Sequence, residues 1–132
     1  KISMLPRRAL ILGATPELRD AAIEKGLESA AVDVSPEMVE KFSELMNHSG
    51  HRLDKRIISN WLQMVFPDDC FNIIMGDGSF NNLASKEENG ELLKICFKSL
   101  KTGGYLILRH LVIPKGYQAY QDIKVLLISK IT

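Results

Sequence analysis

Four short polar segments follow apolar runs in this chain, and each carries a group able to touch a ligand. Gly13-Ala14-Thr15 follows Arg8-Ala9-Leu10-Ile11-Leu12, and Asp33 sits in Ala30-Ala31-Val32-Asp33-Val34. Asn60-Trp61 follows Arg56-Ile57-Ile58-Ser59, and Asp77 lies in Gly76-Asp77-Gly78-Ser79 after Phe71-Asn72-Ile73-Ile74-Met75. Asp33 stands twenty residues after Gly13, the spacing at which an acid on a second strand meets the ribose hydroxyls of a nucleoside. A carboxylate suits a diol because it accepts two hydrogen bonds. Taken alone, the same aspartate is equally well explained as a solvated strand end.

The first loop discriminates between nucleotides. A dinucleotide site needs glycines so that backbone amides approach a pyrophosphate. Here Ala14-Thr15-Pro16-Glu17 fills that loop. Pro16 has no amide to donate, and Glu17 places a carboxylate where a phosphate would sit. The loop therefore disfavours NAD, FAD and ATP and suits a nucleoside without phosphate whose far end carries an ammonium, such as S-adenosylmethionine.

These segments have to be positioned by strands and helices in alternation. Thr15-Pro16-Glu17 and Ser35-Pro36-Glu37 both read as helix starts, with a capping hydroxyl, a proline at the first helical position and an acid at the positive end of the dipole. Leu18, Ala21 and Ala22 are the expected buried face of the first helix. Met38, Phe42, Leu45 and Met46 are that of the second. Ser85 with Glu88 forms a capping-box pattern before a third helix running to about Leu100. Lys101-Thr102-Gly103-Gly104 reads as a tight connection into a fifth strand, from Tyr105 to His110. Tyr117, Tyr120, Ile123, Leu127 and Ile131 recur at helical spacing, which predicts a last helix over residues 115–132. Strands alternating with helices argue a single α/β domain over residues 1–132, with a mainly parallel sheet covered on both faces. In such a sheet ligands bind beyond the carboxyl ends of the strands, and all four polar segments fall there.

The totals fit a globular protein. The 132 residues are 45% hydrophobic and 25% charged, with a formal net charge of +1, so no basic field advertises nucleic acid or a membrane surface. Cys70 and Cys96 lie in apolar stretches without metal-ligand spacing and read as reduced thiols, which points to a cytoplasmic protein. No apolar run is long enough to span a bilayer. Lys1 is not an initiator methionine, and the end at Thr132 carries no stop signal, so the sequence reads as a fragment.

Taken in order, Gly13 to Leu18, Val32-Asp33-Val34-Ser35-Pro36-Glu37-Met38, Phe71-Asn72-Ile73-Ile74 and Leu100-Lys101-Thr102-Gly103-Gly104 resemble the successive signatures of the class I S-adenosylmethionine-dependent methyltransferases. The resemblance covers roughly Ala9 to Pro114. It implies a Rossmann-like fold with S-adenosylmethionine as cofactor. Gly13, Ala14 and Thr15 would border the methionine part, Asp33 would hold the ribose, and Val34 and Met38 would pack on adenine. Asn60 would stand at the position that reads the adenine amino group, and Asp77 would face the ammonium or the acceptor. Trp61 reads from its type as a stack on adenine or a wall of an acceptor pocket, and equally well as an anchor packed under the loop. The chain differs from the family pattern at Asn60, Asn72 and Thr102, and its first loop has one glycine. The family usually ends its sheet with an antiparallel hairpin, which the predicted last helix leaves no residues to form.

Asp77 and His110 are the candidates for catalytic work. His110 carries an imidazole, a side-chain type suited to general-base work, although a strand-end histidine is more often structural. His48 and His51 lie in a polar loop without partners at metal-ligand spacing, so no metal site is expected. The expected activity is methyl transfer to an unidentified acceptor, a small molecule rather than nucleic acid. The rivals are a methyltransferase-like partner subunit without turnover and a nucleotide-dependent oxidoreductase.

Overall fold

The computed structural model describes residues 6–112 and 122–131. Six strands form one sheet in the order β3-β2-β1-β4-β5-β6. They are β1 (Arg8–Leu12), β2 (Glu28–Asp33), β3 (Asp54–Ile58), β4 (Phe71–Asp77), β5 (Leu100–Val112) and β6 (Asp122–Ser129). Strands β1 to β5 run parallel, and β6 runs antiparallel to β5. Strand order reverses beside β1, so β1 and its neighbours β2 and β4 frame the point where a crevice opens.

Helices α1 (Pro16–Glu24), α2 (Pro36–Glu44) and α3 (Lys86–Ser99) flank the sheet. Alternation along β1 divides its side chains between two cores. Ala9 and Ile11 pack with Ala22 of α1, while Leu10 and Leu12 pack with Leu92 and Cys96 of α3, as a two-sided sheet requires. Burial pushes the Cys96 thiol up to about 12, which makes it an inert core residue rather than a nucleophile.

The helix starts form as the sequence predicts, with two differences. Ser35 and Ser85 accept from the amides of Met38 and Glu88, but Thr15, although at the cap position of α1, makes no side-chain cap bond. The buried faces are also rotated. Helix α1 packs Leu18 and Ala22 inward as expected but also buries Arg19, Asp20 and Ile23 rather than Ala21, and α2 buries Val39 and Ser43, with Met46 buried just beyond its end, while Met38 and Leu45 stand exposed. The reason is a polar seam between them. The fully buried Arg19 guanidinium donates to Asp54 (2.8 and 3.2 Å), to Ser43 Oγ (2.7 Å) and to the Ala14 carbonyl (3.2 Å). Asp20 accepts from the amides of Asn47 and His48 at 2.9 Å. Satisfying these groups turns both helices away from their most apolar orientation.

The last element corrects the sequence reading. Residues 122–129 are a strand rather than a helix, paired with β5 from Tyr105↔Ser129 to Val112↔Asp122. The antiparallel partner expected to be missing is therefore present, while the predicted helix over 115–121 lies outside the described residues. Val125-Leu126-Leu127-Ile128 is apolar at every position, hence on both faces, and rich in branched side chains, which suits an extended strand. Pairing also satisfies β5 amides and carbonyls that a helix would leave open. The Lys101–Gly104 connection survives as an irregularity inside the sheet, where the register jumps from Phe71↔Leu100 to Ile73↔Tyr105.

Candidate functional site

The crevice is built around Gly13. Its φ of +115° lies in the region that favours glycine, and its amide donates to the Val32 carbonyl at 2.8 Å, tying the turn to the end of β2. A Cβ placed there would stand 4.0 Å from Asp33 Oδ2 and 4.0 Å from Trp61 Cζ2. The carboxylate and the indole thus converge over a bare backbone.

Each is held from behind. Asp33 Oδ1 accepts from the Ser35 amide at 2.9 Å, which leaves Oδ2 as the outward atom. Trp61 Nε1 donates to the Val32 carbonyl at 2.7 Å, fixing the ring plane. Asn60 Oδ1 accepts from the Leu62 amide at 2.9 Å and caps the short 3-10 turn Trp61–Gln63. Beneath the loop, Ser79 Oγ donates to the Leu12 carbonyl at 2.6 Å and locks the exit of β4 to the end of β1.

Two cavities flank this saddle. One, of about 320 Å³, is walled by Asp33, Val34, Asn60, Trp61, Leu62 and Leu83, with Ser59, Asn82 and Glu88 at its edges. The other, of about 440 Å³, has polar walls of Thr15, Glu17, Asp77 and Arg109 over an apolar floor of Met75, Ile107 and Val125. Arg109 grips Asp77 with two prongs, Nε to Oδ1 at 2.8 Å and Nη2 to Oδ2. The hydrogen bond and charge of Asp77, and to a lesser degree the charge of Glu17, raise the guanidinium further above its ordinary range. Asp77 is thus held as a paired carboxylate.

The structure brings Gly13, Asp33, Val34, Asn60 and Trp61 to the first side, and Thr15 and Asp77 to the second. Ala14 is buried, and its carbonyl faces Arg19. Met38 is exposed on α2 and lines neither cavity. His110 is also elsewhere: its ring meets Phe80 edge-on at 5.8 Å, and it lines a separate hollow with Asn89, Leu93 and Leu126. Sequence reading missed the parts played by Leu62, Leu83 and Glu88, which follow no strand end. It also missed Arg109 as the partner of Asp77. The parallel register Asp77↔Arg109 makes that pair, and neither residue's own neighbours in sequence announce it.

Among the described residues, no group of three or more His, Cys, Asp or Glu could hold a metal ion, and no helix is long and apolar enough to cross a membrane. Known structures share this architecture. An S-adenosylmethionine-dependent methyltransferase of Archaeoglobus fulgidus superposes with a TM-score of 0.65 at 24% identity, over 80% of this chain and 45% of its own. Phosphoethanolamine N-methyltransferase 2 of Haemonchus contortus, in complex with S-adenosyl-L-methionine, superposes with a TM-score of 0.72 at 18% identity, over 89% of this chain and 27% of its own. This chain thus spans less than half the length of either. No curated protein sequence matches it. The pattern of the methyltransferase domain family, however, matches residues 12–108, and the chain belongs to that family.

Proposed function

We propose that the domain binds S-adenosylmethionine and directs its methyl group to a small-molecule acceptor. The observation that carries this reading is the outward Asp33 Oδ2 beside the Trp61 ring over the bare Gly13 backbone. Together these supply an acceptor for a ribose diol, an aromatic wall for a base and room for a ligand to cross. The residues fit the cofactor: Asp33 would hold the ribose, and Val34, Asn60, Trp61 and Leu62 would enclose the adenine. The methionine end would cross Gly13 toward Thr15 and Asp77. When bound, the cofactor supplies a methyl on a sulfonium, already activated for in-line displacement.

The protein's task is then mainly to orient and enclose. Asp77 is engaged by Arg109, and His110 faces another hollow, so neither is placed as a free base in the crevice. That arrangement suits an acceptor needing no strong base. It is equally the observation that favours the second reading, a binding subunit without turnover. A phosphate-bearing nucleotide is disfavoured because Pro16 and Glu17 occupy the helix start where a phosphate would seek amides. In calorimetric titrations S-adenosylhomocysteine is expected to bind this domain with NAD giving no comparable heat. Tighter binding of NAD would overturn the assignment.

Asn60 gives a finer expectation. Its single carbonyl oxygen is already committed to the Leu62 amide. An aspartate caps equally well and has a second oxygen to accept from an adenine amine. Asn60→Asp is therefore expected to tighten S-adenosylhomocysteine binding about threefold, the scale of one charge-assisted hydrogen bond at a partly open site. Unchanged or weaker binding in the same titration would remove Asn60 from the contacts of the base.

A further inference from the structure

The second cavity holds charges that the ribose and adenine contacts do not use. Its walls carry two acids, Glu17 and Asp77, and one base, Arg109. An α-amino acid end carries the complementary set, an ammonium and a carboxylate. The helix start offers that carboxylate little help. Pro16 stands in the first turn of α1 without an amide, and Glu17 adds a negative charge there. A guanidinium lining the same cavity, from Arg109 of β5, meets the need instead. Resting on the cofactor reading above, we propose that Arg109 receives the α-carboxylate of the bound donor, releasing Asp77 to the α-ammonium.

The exchange is electrostatically balanced, since each partner leaves one opposite charge for another. It is also undemanding. The Arg109 side chain is 55% exposed and that of Asp77 30%, so the existing pair, although bidentate, is open to solvent and screened by it. The guanidinium has five donors, of which Asp77 occupies two, and a carboxylate matches its planar fork. Thr15, on the wall of this cavity, is two residues from the Gly13 saddle.

The test compares S-adenosylhomocysteine with its decarboxylated analogue, which keeps the amine, by calorimetry on the parent, Arg109→Gln and Arg109→Lys. Arg109→Gln is expected to lose about tenfold in affinity for S-adenosylhomocysteine, the scale of a charge-assisted fork, while the analogue binds within about twofold of the parent. Arg109→Lys should recover part of the loss, because it keeps the charge without the fork. Equal weakening of both ligands would mean damage to the scaffold and would overturn the proposal, as would unchanged S-adenosylhomocysteine binding in Arg109→Gln. Parent protein that binds both ligands equally would overturn this assignment alone. Parent protein that binds neither would overturn the cofactor reading with it.

Discussion

Arg19→Met is expected to destabilise the domain by about 3–5 kcal/mol, the usual cost of removing one partner from a buried ion pair. Asp54 is 1% exposed, and its remaining cationic partner is Arg56 Nε at 3.3 Å on the surface side. Its carboxylate would lose the two guanidinium bonds from Arg19 and stay buried. Ser43 Oγ would lose its donor, although it still donates to the Val39 carbonyl at 2.6 Å. Thermal unfolding followed by circular dichroism should show a midpoint lower by on the order of 10 °C or more. The double variant Arg19→Met/Asp54→Leu should unfold at a higher temperature than Arg19→Met, because replacing a whole buried pair with apolar groups is often neutral or better. A single variant as stable as the parent would show that the seam between α1 and α2 does not depend on this pair.

That seam also marks where the sequence was hard to read. Ala9-Leu10-Ile11-Leu12 and Ile73-Ile74-Met75 declare themselves as buried strands because every position is apolar, and the serine caps of α2 and α3 announce their helices. Arg19, Asp20 and Ser43 do not read as core residues, because what buries them is mutual satisfaction across 24 to 35 positions of sequence. Strand β6 was obscured differently. Ile123, Leu127 and Ile131 fall at helical spacing, yet Val125, Leu126 and Ile128 between them are also apolar. A run apolar on both faces supports either period, and the open edge of β5 decides for a strand.

The candidate site was more legible than the packing, because strand ends in a parallel sheet are brought together by topology rather than by side-chain detail. Gly13, Asp33 and Trp61 meet for that reason. Met38 and His110 fail to join them for reasons invisible in sequence. The Arg19–Ser43 bond turns α2 so that Met38 points outward, and β5 carries His110 onto the face opposite Arg109.

Asp33→Ala is expected to weaken S-adenosylhomocysteine binding by roughly ten- to a hundredfold, since two hydrogen bonds from a diol to a charged acceptor would be lost. The substitution also removes the acceptor for the Ser35 amide. Asp33→Asn keeps a carbonyl for that amide but puts an Nδ2 donor where Oδ2 would accept from the ribose, so it too should bind more weakly than the parent while leaving the loop held. If the alanine variant binds as the parent does, the ribose does not sit at Asp33.

The chain's single tryptophan stands in the wall of the cavity beside Asp33 and Gly13, with its indole held by the Val32 carbonyl. Its fluorescence during a titration with S-adenosylhomocysteine therefore reports directly on whether a nucleoside enters beside Gly13. The expected result is a saturable change in Trp61 emission that moves to roughly ten- to a hundredfold higher ligand concentration in Asp33→Ala. Folded parent protein whose Trp61 emission shows no saturable response to S-adenosylhomocysteine, or responds identically in Asp33→Ala, would contradict the placement of the cofactor across this crevice.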